Sequence, residues 1–188
     1  NNKESEDICR SFLFAGVPEL DGPTDMAMAQ IMYKGAAENG IGYILEGHSF
    51  ITEGISPLGK SYFDGKYIRS IHKLYGRRKM KTFPNMSFLM FLYWTIIHRI
   101  KKIRPYWYLD YSKEYARKYL ETNFGWEYYG GHHLENRMSA FHHSIYNPIK
   151  FASDQRNNSL SALVRSDSMS RDKALEIYAS PTERENDL

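Results

Sequence analysis

The chain has 188 residues, 42% hydrophobic and 25% charged, with a net charge of only +3. That is about one domain's length and the composition of an ordinary globular protein with enough apolar material for a core. Its one cysteine, Cys9, excludes an internal disulfide framework and a multi-cysteine zinc site, and points to a reducing, cytoplasmic compartment.

The first ten residues are polar and charged, without the pattern of a signal peptide. The chain begins at Asn1 rather than Met, which suggests a missing N-terminal portion. A first helix is expected within residues 1–20, with Phe12, Leu13 and Phe14 as its apolar face and Gly16-Val17-Pro18 as its end. Thr24 or Asp25 reads as the N-cap of a second helix running to about Glu38, with Met28, Met32 and Ala36 as its core stripe. Asn39-Gly40 stops it. Ile41–Leu45 is short, apolar and bounded by turn residues, as a buried strand should be.

A Gly/Ser/Pro-rich loop over 54–66 leads into a helix at Tyr67–Tyr75. Ser87 caps a long helix reaching about Lys101, apolar nearly all round at its start and therefore expected in a core. Its run Phe88–Ile97 is too short to cross a bilayer. The other reading of that run, beside His98, Arg99, Lys101 and Lys102, is an interfacial element. Ile103-Arg104-Pro105 is extended, Ser112 caps a helix at Lys113–Asn123 that stops at Gly125, and Ser170 caps a last helix at Arg171–Ala179. The tail 181–188 is charged and expected to fray. The order of helix, strand and glycine loop gives an α/β fold, helix-rich with a few buried parallel strands, in a single domain over 1–188.

Several stretches carry chemistry. Lys66–Lys81 holds seven Lys or Arg and no acid, either a solvated helix face or a site for phosphate or nucleic acid. Glu46–Glu53 follows a strand, where α/β sheets collect ligands, and offers Gly47, His48, Thr52 and Glu53 to a nucleotide or hydrated Mg²⁺. The alternative is a simple turn and helix cap. Arg104 and Lys113 would meet phosphates, or are surface cations. Tyr129-Gly130-Gly131-His132-His133-Leu134-Glu135 sets imidazoles beside freed backbone, so that His132 or His133 can act as acid or base. His142-His143 invites a metal reading, but adjacent histidines are expected to point apart. Asp154 and Arg156, close behind Lys150, suit an anionic substrate or a surface ion-pair cluster.

The order of these stretches resembles the N-acetyl sugar amidotransferase family across nearly the whole chain. The matching residues are Gly16-Val17-Pro18 with Asp21–Asp25, Tyr43–His48, Tyr67–His72, Lys79–Pro84, Ile103–Pro105 with Asp110–Lys113, Gly125–Asn136, Lys150-Phe151 and Asp154–Arg156. The resemblance implies the C-terminal part of a PP-loop ATPase domain. Enzymes of this kind use ATP and Mg²⁺ to adenylate an oxygen. Here the N-acetyl group of a nucleotide-activated sugar would become an acetamidino group, with ammonia from a glutaminase partner. The products feed lipopolysaccharide O-antigen or flagellin glycans of the pseudaminic and legionaminic acid type.

The resemblance further implies catalytic roles for His132, His133 and Glu135, and cofactor binding by Gly47, His48, Thr52, Glu53, Arg104 and Lys113. Arg69, Lys81, Tyr129, Gly130, Gly131, Lys150, Asp154 and Arg156 would bind the substrate. The family's Ser-Gly-Gly-x-Asp-Ser phosphate loop and cysteine set do not occur in this sequence. The chain alone is thus expected to be inactive without a missing N-terminal half. The rival readings are a PP-loop-related RNA-binding or tRNA-modifying protein and a non-catalytic accessory protein.

Overall fold

A computed structural model describes residues 2–54, 64–128 and 136–180, apart from the side chain of Thr52. The chain forms two compact units, Asn1–Glu46 with Pro57–Ile103, and Gly47–Ser56 with Arg104–Leu188. The expected loop over 54–66 and the frayed tail lie almost wholly outside the described residues.

The first unit opens with α1, Asn2–Ala15, ended by Gly16 in the left-handed conformation at φ 68°. Its buried face is Glu4, Asp7, Ile8, Ser11 and Phe12; Leu13 and Phe14 are exposed, contrary to expectation. The helical period explains Leu13, which points away from the face shared by 4, 8, 11 and 12; Phe14 stands in the last turn with the Arg10 guanidinium over its ring at 5.1 Å. α2, Gly22–Glu38, starts earlier than its sequence suggests, with Asp21 at the N-cap and Pro23 in the first turn, where proline needs no amide hydrogen. It is also rotated from the expected stripe. Met28 and Met32 are exposed, whereas Gln30, Tyr33 and Ala36 are buried.

β1, Tyr43–Leu45, pairs in parallel with β2, Lys101–Ile103, in the register Tyr43↔Lys101 to Leu45↔Ile103. Of these six residues Ile44 alone is buried, so the sheet is covered on one face rather than being a stack of buried strands. The core is Tyr33, Ala36, Ile44, Met86, Trp94 and Ile100, and Trp94 Nε1 donates to Gln30 Oε1 at 3.0 Å.

α4, Gly65–Tyr75, packs on α1 and is capped by Asp64, whose carboxylate accepts from Tyr67 N at 2.6 Å. α5, Phe88–Leu92, is capped by Ser87 as expected and widens into a π-helical turn at Tyr93–Ile97. It does not reach Lys101. Arg99 turns left-handed at φ 53° and Ile100 N returns to Trp94 O at 3.1 Å, which closes the helix and launches β2. The expected core burial fails here too, since Phe88, Leu89, Ile96 and Ile97 are exposed and Trp94 alone of this helix is buried.

The second unit holds α3, Phe50–Glu53; a short 3₁₀ turn at Pro105–Trp107; and α6, Lys113–Phe124, capped by Ser112 and ended by left-handed Gly125. α7, Arg137–Phe141, runs through a π-helical turn, His142–Tyr146, into α8, Asn147–Phe151. The wide turn sits where the Pro148 ring would otherwise strike the carbonyl of Ser144. α9, Arg156–Arg165, packs on α3 and on α10, Arg171–Ala179, which Ser170 caps as expected. No described helix is long and apolar enough to cross a membrane.

Candidate functional site

In the first unit, the basic stretch is organised by two carboxylates from α1. Glu4 Oε2 accepts from the backbone amides of Lys81, Thr82 and Phe83 at 2.8–3.2 Å and from the Thr82 hydroxyl. Asp7 Oδ2 accepts from the amides of Arg77 and Arg78, both at 2.8 Å, and faces His72 Nε2 at 3.0 Å. Asp7 Oδ1 also takes the Arg10 guanidinium at 3.0 Å. Burial pushes the Asp7 carboxyl up, but the Arg78 amide, the Arg10 and His72 side chains and the Arg77 amide outweigh it and hold the group well below the usual carboxylate range. Glu4 is lowered chiefly by the Thr82 amide. The chain bonds by its amides, which leaves Arg77, Arg78, Lys79 and Lys81 with side chains in solvent. Arg69 stands exposed on α4.

In the second unit the post-strand turn and the Arg104 segment meet around Trp107. His48 Nε2 lies 3.6 Å from Glu53 Oε2, and the His48 ring is 6.4 Å from the Trp107 indole. Arg104 sits over the same indole at 4.9 Å, and Phe50 meets it edge-on at 5.5 Å. His48 Nδ1 and the Ser49 hydroxyl are buried polar atoms without a hydrogen-bond partner among the described residues. Such atoms are uncommon in folded proteins and mark a place that a polar ligand can satisfy. Gly47 is exposed, and a Cβ there would meet nothing within 4 Å, so the fold itself does not demand glycine at this point.

Beside this cluster opens a cleft of about 630 Å³, lined among others by Ile51, Tyr111, Lys113, Arg117, Trp126 and Tyr128. Arg117 lies over the Tyr128 ring at 4.7 Å, and the Trp126 and Tyr128 rings are 6.0 Å apart. Tyr111 joins the two groups, its phenol pushed up by burial, by Tyr106 and by the charge of Glu53. Aromatic faces set among cations suit a sugar or base carrying phosphate.

His48, Glu53 and Arg104 are thus brought together, with Lys113 on the adjoining cleft. Arg156 forks onto Asp154 (2.8 Å and 3.1 Å to Oδ2) and also donates to the carbonyls of Ile177 and Ser180, which ties α9 to the end of α10. Lys150 lies over Tyr146 and Phe151. The His142 and His143 rings do not point apart; their centroids are 4.5 Å apart, and His142 is fully buried and bonded to Asn147. The tight side-by-side placement belongs to the π-helical turn that carries both. Tyr129, Gly130, Gly131, His132, His133 and Glu135 lie outside the described residues. Sequence reasoning overlooked Trp107, Arg117 and Trp126 as site residues. The aromatic run Tyr106-Trp107-Tyr108 directly after Arg104-Pro105 was the available signal.

ATP needs a cradle of backbone amides around its pyrophosphate. At the start of α6 one such amide, Tyr115 N, donates to the Ser112 hydroxyl. The cations and aromatic rings present fit an anionic group beside a stacked moiety.

Residues 135–188 match the family model of the LPS biosynthesis protein WbpG-like, C-terminal domain. No curated protein and no solved structure matches the chain. The helices α7 to α10 fall in the matched segment.

Proposed function

We propose that this chain is the acceptor-binding part of an N-acetyl sugar amidotransferase, and that its second unit receives the nucleotide-activated sugar. The observation that carries the reading is the cleft in which Trp126 and Tyr128 stand among Lys113 and Arg117. The similarity of 135–188 to WbpG-like proteins of lipopolysaccharide biosynthesis gives the sugar its setting. The aromatic faces would stack on the sugar or base, and Lys113 and Arg117 would meet the diphosphate. Tyr128 leads within seven residues to His132, His133 and Glu135, which would handle protons as ammonia attacks. ATP, Mg²⁺ and the ammonia-supplying glutaminase are the remaining requirements of such an enzyme. Activation by ATP requires a phosphate loop that this sequence lacks, so recognition rather than activation is assigned to this chain.

Tryptophan fluorescence with UDP-N-acetylglucosamine as the probe tests the reading. Titration should quench the signal saturably. Aromatic stacking of this kind contributes about 1–3 kcal/mol, so Trp126→Ala, with binding then followed by calorimetry, should weaken the affinity about tenfold or more. Lys113→Ala should weaken binding of UDP alone as well. Affinity unchanged in Trp126→Ala would sink the assignment of this cleft.

A further inference from the structure

Between Asp64 and Asp110 the sequence contains no acidic residue at all. Ten of the cations in that interval fall in the first unit: Lys66, Arg69 and Lys73 on α4, then Arg77, Arg78, Lys79 and Lys81, then Arg99, Lys101 and Lys102. All ten are exposed, and only Lys102 has an acidic partner among the described residues, Glu46. The whole chain nets only +3, so positive charge is concentrated here. The central four are held on a loop that Glu4 and Asp7 pin by its backbone.

The same interval carries the largest run of exposed apolar residues on a described helix. Phe88 is 70% exposed, Leu89 76%, Ile96 61% and Ile97 68%. Leu89, Tyr93, Ile96 and Ile97 recur at i, i+4, i+7 and i+8, which is one helix face. Trp94 anchors the opposite face in the core. Lys81 and Phe88 are seven residues apart in sequence, so the basic loop and the apolar face stand within about 24 Å of each other.

We propose that the first unit docks on an anionic phospholipid surface, with the 88–97 helix face seated in the headgroup region and the 66–81 cations on lipid phosphates. An exposed apolar helix face that follows a run of Lys and Arg closely in the chain is the combination that interfacial anchoring uses. RNA fits less well. Phe88 and Tyr93 could stack on a base, but RNA binding would still leave the exposed aliphatic Leu89, Ile96 and Ile97 in water. A second copy of the chain fits less well too, because a two-fold contact through this surface would set its cations against their own counterparts.

The test is flotation of the full chain with phosphatidylcholine vesicles and with phosphatidylglycerol-rich vesicles, read at low and high salt. The chain should float with the anionic vesicles, stay behind with the neutral ones, and be partly released by salt. Arg77→Glu with Arg78→Glu should weaken binding by more than about twentyfold, at roughly fivefold for each charge lost near the surface. Leu89→Ser with Ile97→Ser should abolish the salt-resistant fraction. All four side chains are exposed, so circular dichroism should stay unchanged and loss of fold is separable from loss of binding. Failure to float with anionic vesicles would overturn the proposal. So would salt-sensitive binding of polyuridylate without flotation, or a wild-type dimer that Leu89→Ser converts to monomer in the absence of flotation.

Discussion

Asp7→Ala should lower the stability of the chain by about 3 kcal/mol. The estimate comes from the donors it strands. Removing the carboxylate leaves the amides of Arg77 and Arg78 and the ring of His72 without the acceptor they now share, and an unsatisfied buried donor costs about 1–3 kcal/mol. Spread over a chain of this size, that is a fall in midpoint of about 6–12 °C in thermal unfolding followed by far-UV circular dichroism. Arg10→Ala removes the partly exposed partner on Oδ1 and a bond to the Tyr75 carbonyl, both at the surface, and should change less. A midpoint for Asp7→Ala within a degree of wild type would mean that the loop is held by something else.

The same carboxylate sets a pH dependence. Its folded pKa lies below its unfolded one, so it favours the folded state at all pH values above the unfolded carboxylate range. The contribution drains away as pH falls below about 4, where the unfolded chain binds a proton that the folded chain still refuses. Glu4 is shifted in the same direction and adds to the effect. Wild type should therefore lose midpoint steeply between about pH 4 and pH 2, and Asp7→Ala should show a visibly shallower acid limb.

These two residues also show where sequence reading stops. Glu4 and Asp7 read as a polar lead because their partners lie far along the chain, at His72, Arg77, Arg78 and Lys81–Phe83. Only a fold that lays α1 against α4 gives them meaning. Features decided by local chemistry were legible. Ser87, Ser112 and Ser170 each cap the helix expected of them, because a hydroxyl that meets the third residue's amide is a contact within one turn. Helix rotation was not legible. In α2 Ala36 is buried as expected, but the methionines at 28 and 32 read as good a stripe with it as Tyr33 does, and only packing against Trp94 and Ile44 selects Tyr33. The 88–97 helix failed for a related reason, since apolar content tells how much surface wants cover but not what covers it. At the site, His48, Glu53 and Arg104 were readable as polar residues near a turn. Trp107, the ring they gather around, was not, because aromatic residues are equally at home in a core.

Gly54→Ala should be the most damaging single change in the second unit. Gly54 ends α3 at φ 75° and ψ −166°, a region essentially reserved for glycine, which costs about 1–3 kcal/mol for an L-residue. Space forbids the methyl as well. A Cβ there would lie 2.5 Å from the carbonyl oxygen of Asn158 and 2.9 Å from its carbon. Both are backbone atoms of α9, so no rotamer change relieves the clash and α3 itself must move. Such overpacking adds about 1–3 kcal/mol, which makes a loss of about 2–6 kcal/mol in all. The displacement should reach the site, because α3 carries Phe50, in edge contact with Trp107, and Glu53, the partner of His48. Near-UV circular dichroism should therefore lose part of its tryptophan signal even at temperatures where the helices persist. Gly47→Ala supplies the contrast. Its added methyl meets nothing within 4 Å, so its stability should stay within about 0.5 kcal/mol of wild type. If that variant nevertheless weakened UDP-N-acetylglucosamine binding, the open space beside Gly47 would be space that a ligand fills. If both glycines tolerated alanine equally, the close approach of α3 to α9 would not be what fixes the geometry around Trp107.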